Sequence, residues 1–390
     1  MKLCKCQMPA MVILASFLGM LLHQPQCAVS AFQFRPSQWD LSGRQNERQS
    51  MDKGKGNGGS NRPADIERTQ IDTVDGISAE VLFIIPKPTS FVSNIMVGKK
   101  AGKPPLVFLH GSFHAAWCWA EKFFPYFADL GYPVVALSWR GTNGTFAGEG
   151  VKKVKAAEHC QDLDAFLSQL PDILGSKLAG DASAPKPVVI GHSFGGIIIM
   201  KYLEKCGKKP SDVFGGIVMM CSVPPSGNGK MTSRFLRRSL VQSWKITAGL
   251  ALKKCIGDRA LCRDLFFGGQ PVEAADGSVD DLGVSDEDLV RYQGCFERDT
   301  AATIDLLNLG RNLPSKATDG EGRAPFAADL PPCMVLGASD DFIVDQEGNE
   351  ETARYLGLDA PVVVDSPHDV MLGAKWKNAA ATLRDFVERL

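Results

Sequence analysis

The sequence predicts an α/β fold in which helices cover both faces of a mostly parallel central sheet. Two observations support this prediction. From about residue 70 onward, short apolar segments typical of strands alternate with longer segments of helical periodicity. Between about residues 226 and 330 the alternation stops and the pattern is helical, which indicates a cap inserted between two strands. Active sites of such sheets lie beyond the carboxyl ends of the parallel strands.

The predicted elements follow in a regular order. Two antiparallel strands come first, and most later strands are followed by a helix. The predicted strands are Ile71–Val74, Ala79–Ile85, Leu106–Leu109, Val134–Ser138, Val188–Ile190, Ile217–Cys221, Cys333–Leu336 and Pro361–Val364. The predicted helices are Trp117–Leu130, Lys152–Leu170, the helix after Ser193, Phe235–Leu252, Asp286–Leu307, Glu347–Leu356 and Ala374–Leu390.

The first 68 residues differ in composition from the rest. Two lysines precede an uncharged apolar run from Met8 to Leu22, and small residues follow, which predicts a signal peptide over residues 1–31. Residues 32–68 are polar and rich in Gly, so we expect a disordered linker or a transit peptide there, and an ordered domain over 69–390. The junction Val29–Phe32 resembles the Ala-Ser-Ala-Phe junction of two-part plastid presequences. That resemblance implies import into a plastid after entry into the secretory pathway, with secretion or the endoplasmic reticulum as the alternative.

Charge and cysteine content exclude several classes of protein. The chain has 43 basic and 44 acidic residues and a net charge of -1, so no nucleic-acid partner is indicated. The eight cysteines beyond the signal peptide are scattered and lack the spacing of a zinc site. We expect them to be mostly reduced, with a Cys255–Cys262 bridge as an open alternative. No metal or organic cofactor is indicated.

Charge is unevenly distributed within the predicted cap. Its first part, Lys230–Arg263, has nine basic residues and one acidic residue, whereas Asp264–Asp288 has eight acidic residues and no basic one. We favour the interpretation that these two halves pair and stay solvated. A basic amphipathic helix can also lie on anionic lipid, so peripheral membrane contact through the basic half is the alternative.

The segment from Val188 to Ile199 indicates a nucleophile. It consists of an apolar strand, the turn Gly191-His-Ser193-Phe-Gly195 and an apolar helix, which is the sequence form of a nucleophile elbow. The glycines are needed because a Cβ at either position would collide with the closely packed strand and helix. We therefore predict Ser193 as a nucleophile, with the N–H groups of the helix start aimed at a developing oxyanion.

A serine hydroxyl needs a base to accept its proton and an acid to orient that base. His368 follows the last predicted strand, where the third member of a Ser–Asp–His order falls. Asp340 and Asp341 both follow the preceding strand, and only one of them can face His368. We expect His159, in the middle of a helix with charged neighbours, to be exposed.

An oxyanion loop is predicted after the strand Leu106–Leu109. Gly111 lets the backbone turn so that the N–H of Ser112 faces the nucleophile, and the N–H of Phe194 is the second donor. We expect His110 to brace this loop by a hydrogen bond rather than to act in catalysis.

Together these motifs resemble those of the α/β-hydrolase superfamily, over roughly residues 70–390. The usual Asp-x-Ile-Val ending of that superfamily favours Asp341 over Asp340 as the acid. The loop His110–Trp119 is similar to the His-Gly-x-x-His-Gly-Ala-Trp loop of plant methylesterases and hydroxynitrile lyases, with Ala115 in place of the second Gly. Ser138–Gly144 resembles instead the Arg-Gly loop of acylglycerol lipases, so the resemblance is divided between subfamilies and implies no substrate.

The resemblance and the motifs imply a serine hydrolase that cleaves carboxylic esters through Ser193, His368 and Asp341. The apolar content of the cap favours a medium or lipid-like acyl group on a small-molecule or lipid ester. Three alternatives remain open: hydrolysis of amides or thioesters, cyanohydrin cleavage as in hydroxynitrile lyases, and ligand binding without catalysis.

Overall fold

The computed structural model of the chain describes residues 66–86, 102–175, 185–269 and 284–390, together with two short strands at 272–273 and 279–280. All of these belong to one compact unit, Arg62–Leu390. The predicted signal peptide and nearly all of the predicted linker or transit peptide lie outside the described residues. Among the described helices, none is both long enough and apolar enough to cross a membrane.

An eight-stranded sheet forms the centre of the unit. Its strands are β1 (Glu67–Asp72), β2 (Ser78–Ile84), β3 (Leu106–Leu109), β4 (Val134–Leu137), β5 (Val188–His192), β6 (Gly216–Met220), β7 (Cys333–Asp340) and β8 (Val362–Pro367). They lie in the order β1-β2-β4-β3-β5-β6-β7-β8. Only β2 runs against its neighbours, so β3 to β8 form a parallel sheet and the predicted fold class is confirmed.

Helices pack on both faces of this sheet, and further helices lie in the segment between β6 and β7. They are α1 (Trp117–Ala120), α2 (Phe123–Asp129), α3 (Ala156–Ile173), α4 (Phe194–Leu203), α5 (Pro210–Val213), α6 (Asn228–Arg238), α7 (Leu240–Ile246), α8 (Arg259–Cys262), α9 (Asp286–Arg298), α10 (Leu306–Arg311), α11 (Gln346–Tyr355) and α12 (Trp376–Val387). Successive strand side chains point to opposite faces, so Phe108 joins one core whereas Val107 and Leu109 join the other. Because both faces of the inner strands β3 to β6 are buried, these strands are nearly continuous apolar runs rather than alternating ones.

Residues 226–330, which we call the inserted segment, lie between β6 and β7 and contain α6 to α10. The predicted helix Phe235–Leu252 was wrong in its bounds because Ser239 is extended, and its Oγ accepts the Gln242 N–H at 3.2 Å as the cap of a new helix. The predicted helix Asp286–Leu307 ends at Arg298, and Asp305 caps the separate helix α10.

Other element bounds also differ from the sequence prediction. Strand β1 begins at Glu67, so order starts before the predicted boundary at residue 69. The helix predicted from Lys152 begins at Ala156, because Lys153–Val154 pairs as a strand with Thr303–Ile304. This short ladder joins the segment after β4 to the inserted segment.

Candidate active site

A sharp turn presents Ser193 at the carboxyl end of β5. Its backbone has φ 50° and ψ -115°, a conformation that a residue with a Cβ adopts only under strain, and α4 begins at the next residue. A Cβ on Gly195 would lie 2.6 Å from the Leu109 carbonyl oxygen, and one on Gly191 would lie 2.8 Å from the Gly196 nitrogen. The two glycines therefore allow strand and helix to approach closely enough to hold Ser193 at the tip of the turn.

We expect Gly195→Ala to abolish activity and to reduce the free energy of unfolding by about 1–3 kcal/mol. The added methyl would meet backbone atoms of Leu109 and His110, which cannot rotate away as a side-chain end can. Gly229→Ala is the matched control, since a Cβ there meets nothing within 4 Å. Urea denaturation and activity should leave the Gly229 variant close to wild type, and an active, fully stable Gly195→Ala protein would contradict this account of the turn.

Ser193, His368 and Asp341 lie in hydrogen-bond contact. The Oγ of Ser193 is 3.1 Å from Nε2 of His368, so the hydroxyl can donate to this nitrogen. The other ring nitrogen, Nδ1, lies 2.9 Å from Oδ1 and 2.8 Å from Oδ2 of Asp341, and its N–H donates to the carboxylate. The structure thus brings together the three residues predicted as nucleophile, base and acid, from the ends of β5, β8 and β7.

The two adjacent carboxylates after β7 have different surroundings. The Asp341 side chain is 0% exposed, and its Oδ1 also accepts the N–H groups of Ile343 and Val344 at 2.8 Å. The Asp340 side chain is 53% exposed and lies 3.8 Å from the Nζ of Lys375. The structure therefore places Asp341, and not Asp340, against His368.

The loop after β3 lies directly against the nucleophile. A Cβ on Gly111 would be 2.8 Å from the Cβ of Ser193, so only glycine allows this approach. Within the described part of the chain, no backbone acceptor is hydrogen-bonded to the N–H of Ser112 or of Phe194. These are the two amides predicted as oxyanion donors.

His110 and His159 are buried and serve the packing around this loop. His110 Nε2 accepts the N–H of Trp139 at 3.0 Å, which confirms the predicted bracing role. The prediction of an exposed His159 was wrong: its ring is 3% exposed and lies edge-on to Trp139 and Phe194. Burial lowers the pKa of both histidines to about 3, so both are neutral near pH 7.

Sequence reasoning missed a second buried pair beside the triad. Nε2 of His114 donates to Oδ2 of Asp369 at 3.0 Å, and both side chains are 0% exposed. Nδ1 of His114 donates to the Ser112 carbonyl at 2.8 Å. Both ring nitrogens of His114 thus face hydrogen-bond acceptors. The sequence offered two signals: His114 is the second histidine of the His-Gly-x-x-His loop, and Asp369 is an acidic residue next to His368 in an apolar context.

The Asp369 backbone also contacts the inserted segment. Its N–H donates to the carbonyl of Phe266 at 3.0 Å, within the π-helical turn Arg263–Phe267. Phe266 and Phe296 pack around His114, with ring centroids 6.1 and 4.8 Å away. The His114–Asp369 pair therefore links the oxyanion loop, which contains His114, to the chain next to His368, and both residues also contact the inserted segment.

Arg140, in the predicted Arg-Gly loop, makes a structural ion pair. Its guanidinium donates to both carboxylate oxygens of Asp162, at 2.6 and 2.5 Å, and both residues are buried. This bidentate pair raises the pKa of Arg140 against the effect of burial. The loop is thereby fixed to α3.

A model of the alpha/beta hydrolase family matches residues 106–380, a range that includes β3 to β8 and every site residue described above. The chain belongs to this family. Among curated proteins it is similar to Methylesterase 1 of Arabidopsis thaliana, with 31% identity over 28% of this chain and 37% of that protein. It is also similar to the probable esterase PIR7A of Oryza sativa, with 27% identity over 35% of this chain and 47% of that protein. The match thus spans less than half the length of either relative.

Solved structures of other proteins share the fold. A thermophilic esterase from Thermogutta terrifontis is 16% identical, with a TM-score of 0.50 over 83% of this chain and 98% of that one. A bromoperoxidase from Bacillus anthracis gives the same TM-score at 15% identity, over 83% and 100%. Since these two proteins carry names of different activities, the likeness establishes the fold alone.

Proposed function

We propose that this alpha/beta hydrolase cleaves carboxylic esters through an acyl-enzyme formed on Ser193. The observation that carries the proposal is the 3.1 Å contact between Ser193 Oγ and His368 Nε2, in a site where Asp341 accepts from the opposite ring nitrogen. The similarity to proteins named as esterases supports the same reaction class.

In the proposed mechanism, His368 takes the hydroxyl proton as Ser193 Oγ attacks the ester carbonyl carbon. The carbonyl oxygen becomes an oxyanion that accepts the N–H groups of Ser112 and Phe194, and each such donor is worth about 3–4 kcal/mol in the transition state. His368 then protonates the leaving alcohol. Water, activated by the same histidine, attacks the acyl-enzyme and releases the acid. Asp341 holds the imidazole in orientation and stabilises its charged form.

The surroundings of the site favour an apolar acyl group. Phe113, Phe266 and Phe296 are buried together beside the oxyanion loop and His114. A cavity of about 50 Å³ lies next to Ser112 and Phe194, and residues of the inserted segment such as Thr300 and Ala302 line its other side.

The direct test uses the full chain treated with a fluorescent fluorophosphonate, alongside Ser193→Ala. We expect wild type to be labelled and Ser193→Ala to be unlabelled, because only a serine activated by its base attacks the phosphorus at an appreciable rate. Ser168→Ala, which removes an exposed hydroxyl on α3, is the matched control and should label like wild type.

Absence of label on folded wild-type protein would contradict the proposal. If labelling succeeds, rates on p-nitrophenyl esters of increasing acyl length define the substrate. A maximum at acetate would count against a medium or lipid-like acyl group, and a maximum at longer chains would support it.

A further inference from the structure

The outer face of α7 and its neighbours carries large apolar side chains in solvent. The exposed residues are Leu236, Leu240, Val241, Trp244 and Leu252, with Leu240 75% exposed and Val241 66% exposed. Val241 and Trp244 lie three residues apart in one helix, and Leu240 and Trp244 lie four apart, so the three share one side. We call these five residues the apolar face.

The apolar face is not a misplaced part of the core. Helices α6 and α7 already bury a separate set of side chains against the unit, including Met231, Phe235 and Ser243. The five side chains of the apolar face lie outside that set, and between 38% and 75% of each is exposed. Contiguous exposed apolar side chains usually mark a surface that contacts another molecule or a membrane.

Positive charge surrounds the apolar face. Residues 231–257 contain six basic residues and no acidic residue. Three of the six pair with acids from elsewhere in the chain: Arg234 and Arg238 with Asp345, and Lys245 with Asp264.

The other three cations are Arg237, Lys253 and Lys254. In the part of the chain that the structure describes, no carboxylate forms an ion pair with any of them. Nζ of Lys254 lies 5.7 Å from the ring centroid of Trp244, so charge and aromatic ring lie side by side on this surface.

The basic residues 230–263 and the acidic residues 264–288 of the inserted segment form ion pairs with each other, but these pairs neutralise only part of the positive charge. The pairs are Lys245–Asp264 and Arg263–Asp286. They involve neither the apolar face nor Arg237, Lys253 and Lys254. Lys254 lies beside Trp244, whereas Nζ of Lys253 donates to the Thr300 carbonyl at 2.7 Å. The expected pairing and a further role for this surface are therefore compatible.

We propose that the apolar face and its three cations bind an anionic phospholipid surface. Tryptophan and leucine side chains enter the boundary between head groups and acyl chains, and flanking Lys and Arg side chains reach the phosphates. Association with a second copy is disfavoured, since it would place six like charges together and lysine is depleted in protein interfaces. This proposal goes beyond ester hydrolysis and does not depend on Ser193.

The test measures sedimentation of the full chain with vesicles of phosphatidylcholine alone and of phosphatidylcholine mixed with phosphatidylglycerol. We expect binding to the mixed vesicles that weakens as salt is added, since exposed charges are screened. Ser193→Ala should bind like wild type, so failure of the catalytic proposal and failure of this one are distinguishable.

A matched pair of variants assigns the binding to this face. Leu240→Glu should weaken vesicle binding at least tenfold, whereas Leu307→Glu, at a residue 77% exposed on α10, should not. Replacing Arg237, Lys253 and Lys254 by Gln should cost about fivefold for each charge. Circular dichroism and fluorophosphonate labelling check that each variant is folded.

Fluorescence locates the contact. The difference in emission between wild type and Trp244→Phe reports Trp244, and it should shift to the blue on anionic vesicles. An unshifted spectrum, equal loss in the two Leu→Glu variants, or equal binding to both vesicle types would overturn the proposal. A lipid-free dimer that Leu240→Glu dissociates would overturn it as well, because it would assign the face to a second copy.

Discussion

Asp341→Asn should lower turnover by about 10⁴-fold while leaving the protein folded. Oδ1 of Asp341 accepts two backbone N–H groups, from Ile343 and Val344, and an amide oxygen can keep both bonds. The amide nitrogen of the variant then takes the place of Oδ2, 2.8 Å from Nδ1 of His368. Since that nitrogen can only donate, the imidazole must place its proton on Nε2 and can no longer accept from Ser193.

Asp340→Asn is the control for this prediction. Asp340 precedes Asp341 in the chain but is half exposed, and it lies 3.8 Å from Lys375 rather than beside His368. We expect its removal to change turnover less than twofold, because an exposed ion pair contributes about 0–1 kcal/mol. The measurement is kcat on an ester that wild type cleaves, with thermal unfolding for both variants. Equal losses of turnover, or a larger loss in Asp340→Asn, would reassign the acid.

Local patterns were sufficient to predict the parts of the site that lie at strand ends. The turn around Ser193 depends on glycines within two residues of it, and the strand β5 and helix α4 are apolar runs on either side. His368 and the two candidate acids follow β8 and β7 in the chain. The carboxyl ends of parallel strands meet at one edge of a sheet, so residues that directly follow such strands in the chain are expected to lie near one another.

Features that depend on distant residues could not be predicted in this way. His159 has charged neighbours in sequence, but Trp139 and Phe194 cover its ring from another loop and another helix. The contact between His114 and Asp369 spans 255 residues. The inserted segment is divided into separate helices by single capping side chains such as Ser239. The spacing of apolar residues every 3.6 positions predicts helix but does not reveal where one helix ends and the next begins.

We expect Asp369→Asn to have the second large effect, on stability and on the pH dependence of ester hydrolysis. Burial opposes ionisation of Asp369, but the hydrogen bond and the charge of His114 outweigh it and hold the pKa of Asp369 below its ordinary value of 3.8. Breaking a buried ion pair by neutralising one partner costs about 3–5 kcal/mol. The variant should therefore lose about 3 kcal/mol of its free energy of unfolding at pH 7.

This loss should depend on pH with a defined sign. A carboxyl whose pKa is lower in the folded than in the unfolded state stabilises the fold above its unfolded pKa. That contribution disappears as the pH falls through the lower folded value, so the stabilities of wild type and Asp369→Asn should begin to converge below about pH 4 and meet only below the folded pKa of Asp369. Urea denaturation across this range measures the difference. A constant difference would show that the charge of Asp369 is not its cause.

Activity gives an independent readout of the same substitution. Burial lowers the pKa of His368, but Asp341 and then Asp369 raise it, and the net result lies above the ordinary value of 6.5. The base must be neutral to accept the Ser193 proton, so kcat/KM falls as the pH decreases through this raised pKa. This fall is the acidic limb of the pH profile. Loss of the Asp369 charge should move the acidic limb to lower pH, because Asp341 stays in place. The nearby His192 stays neutral, since burial lowers its pKa to about 3.

The control is Asp365→Asn, three residues before His368. Asp365 is 64% exposed and pairs with Lys375 at 2.7 Å, so it is a carboxylate four residues from Asp369 that is not buried. We expect less than 1 kcal/mol of lost stability and an unmoved acidic limb. A role for Asp369 in packing alone would lower stability without moving the limb. A shift of the limb in Asp369→Asn but not in Asp365→Asn therefore identifies the His114–Asp369 pair as one that sets the protonation of His368 as well as holding the loop.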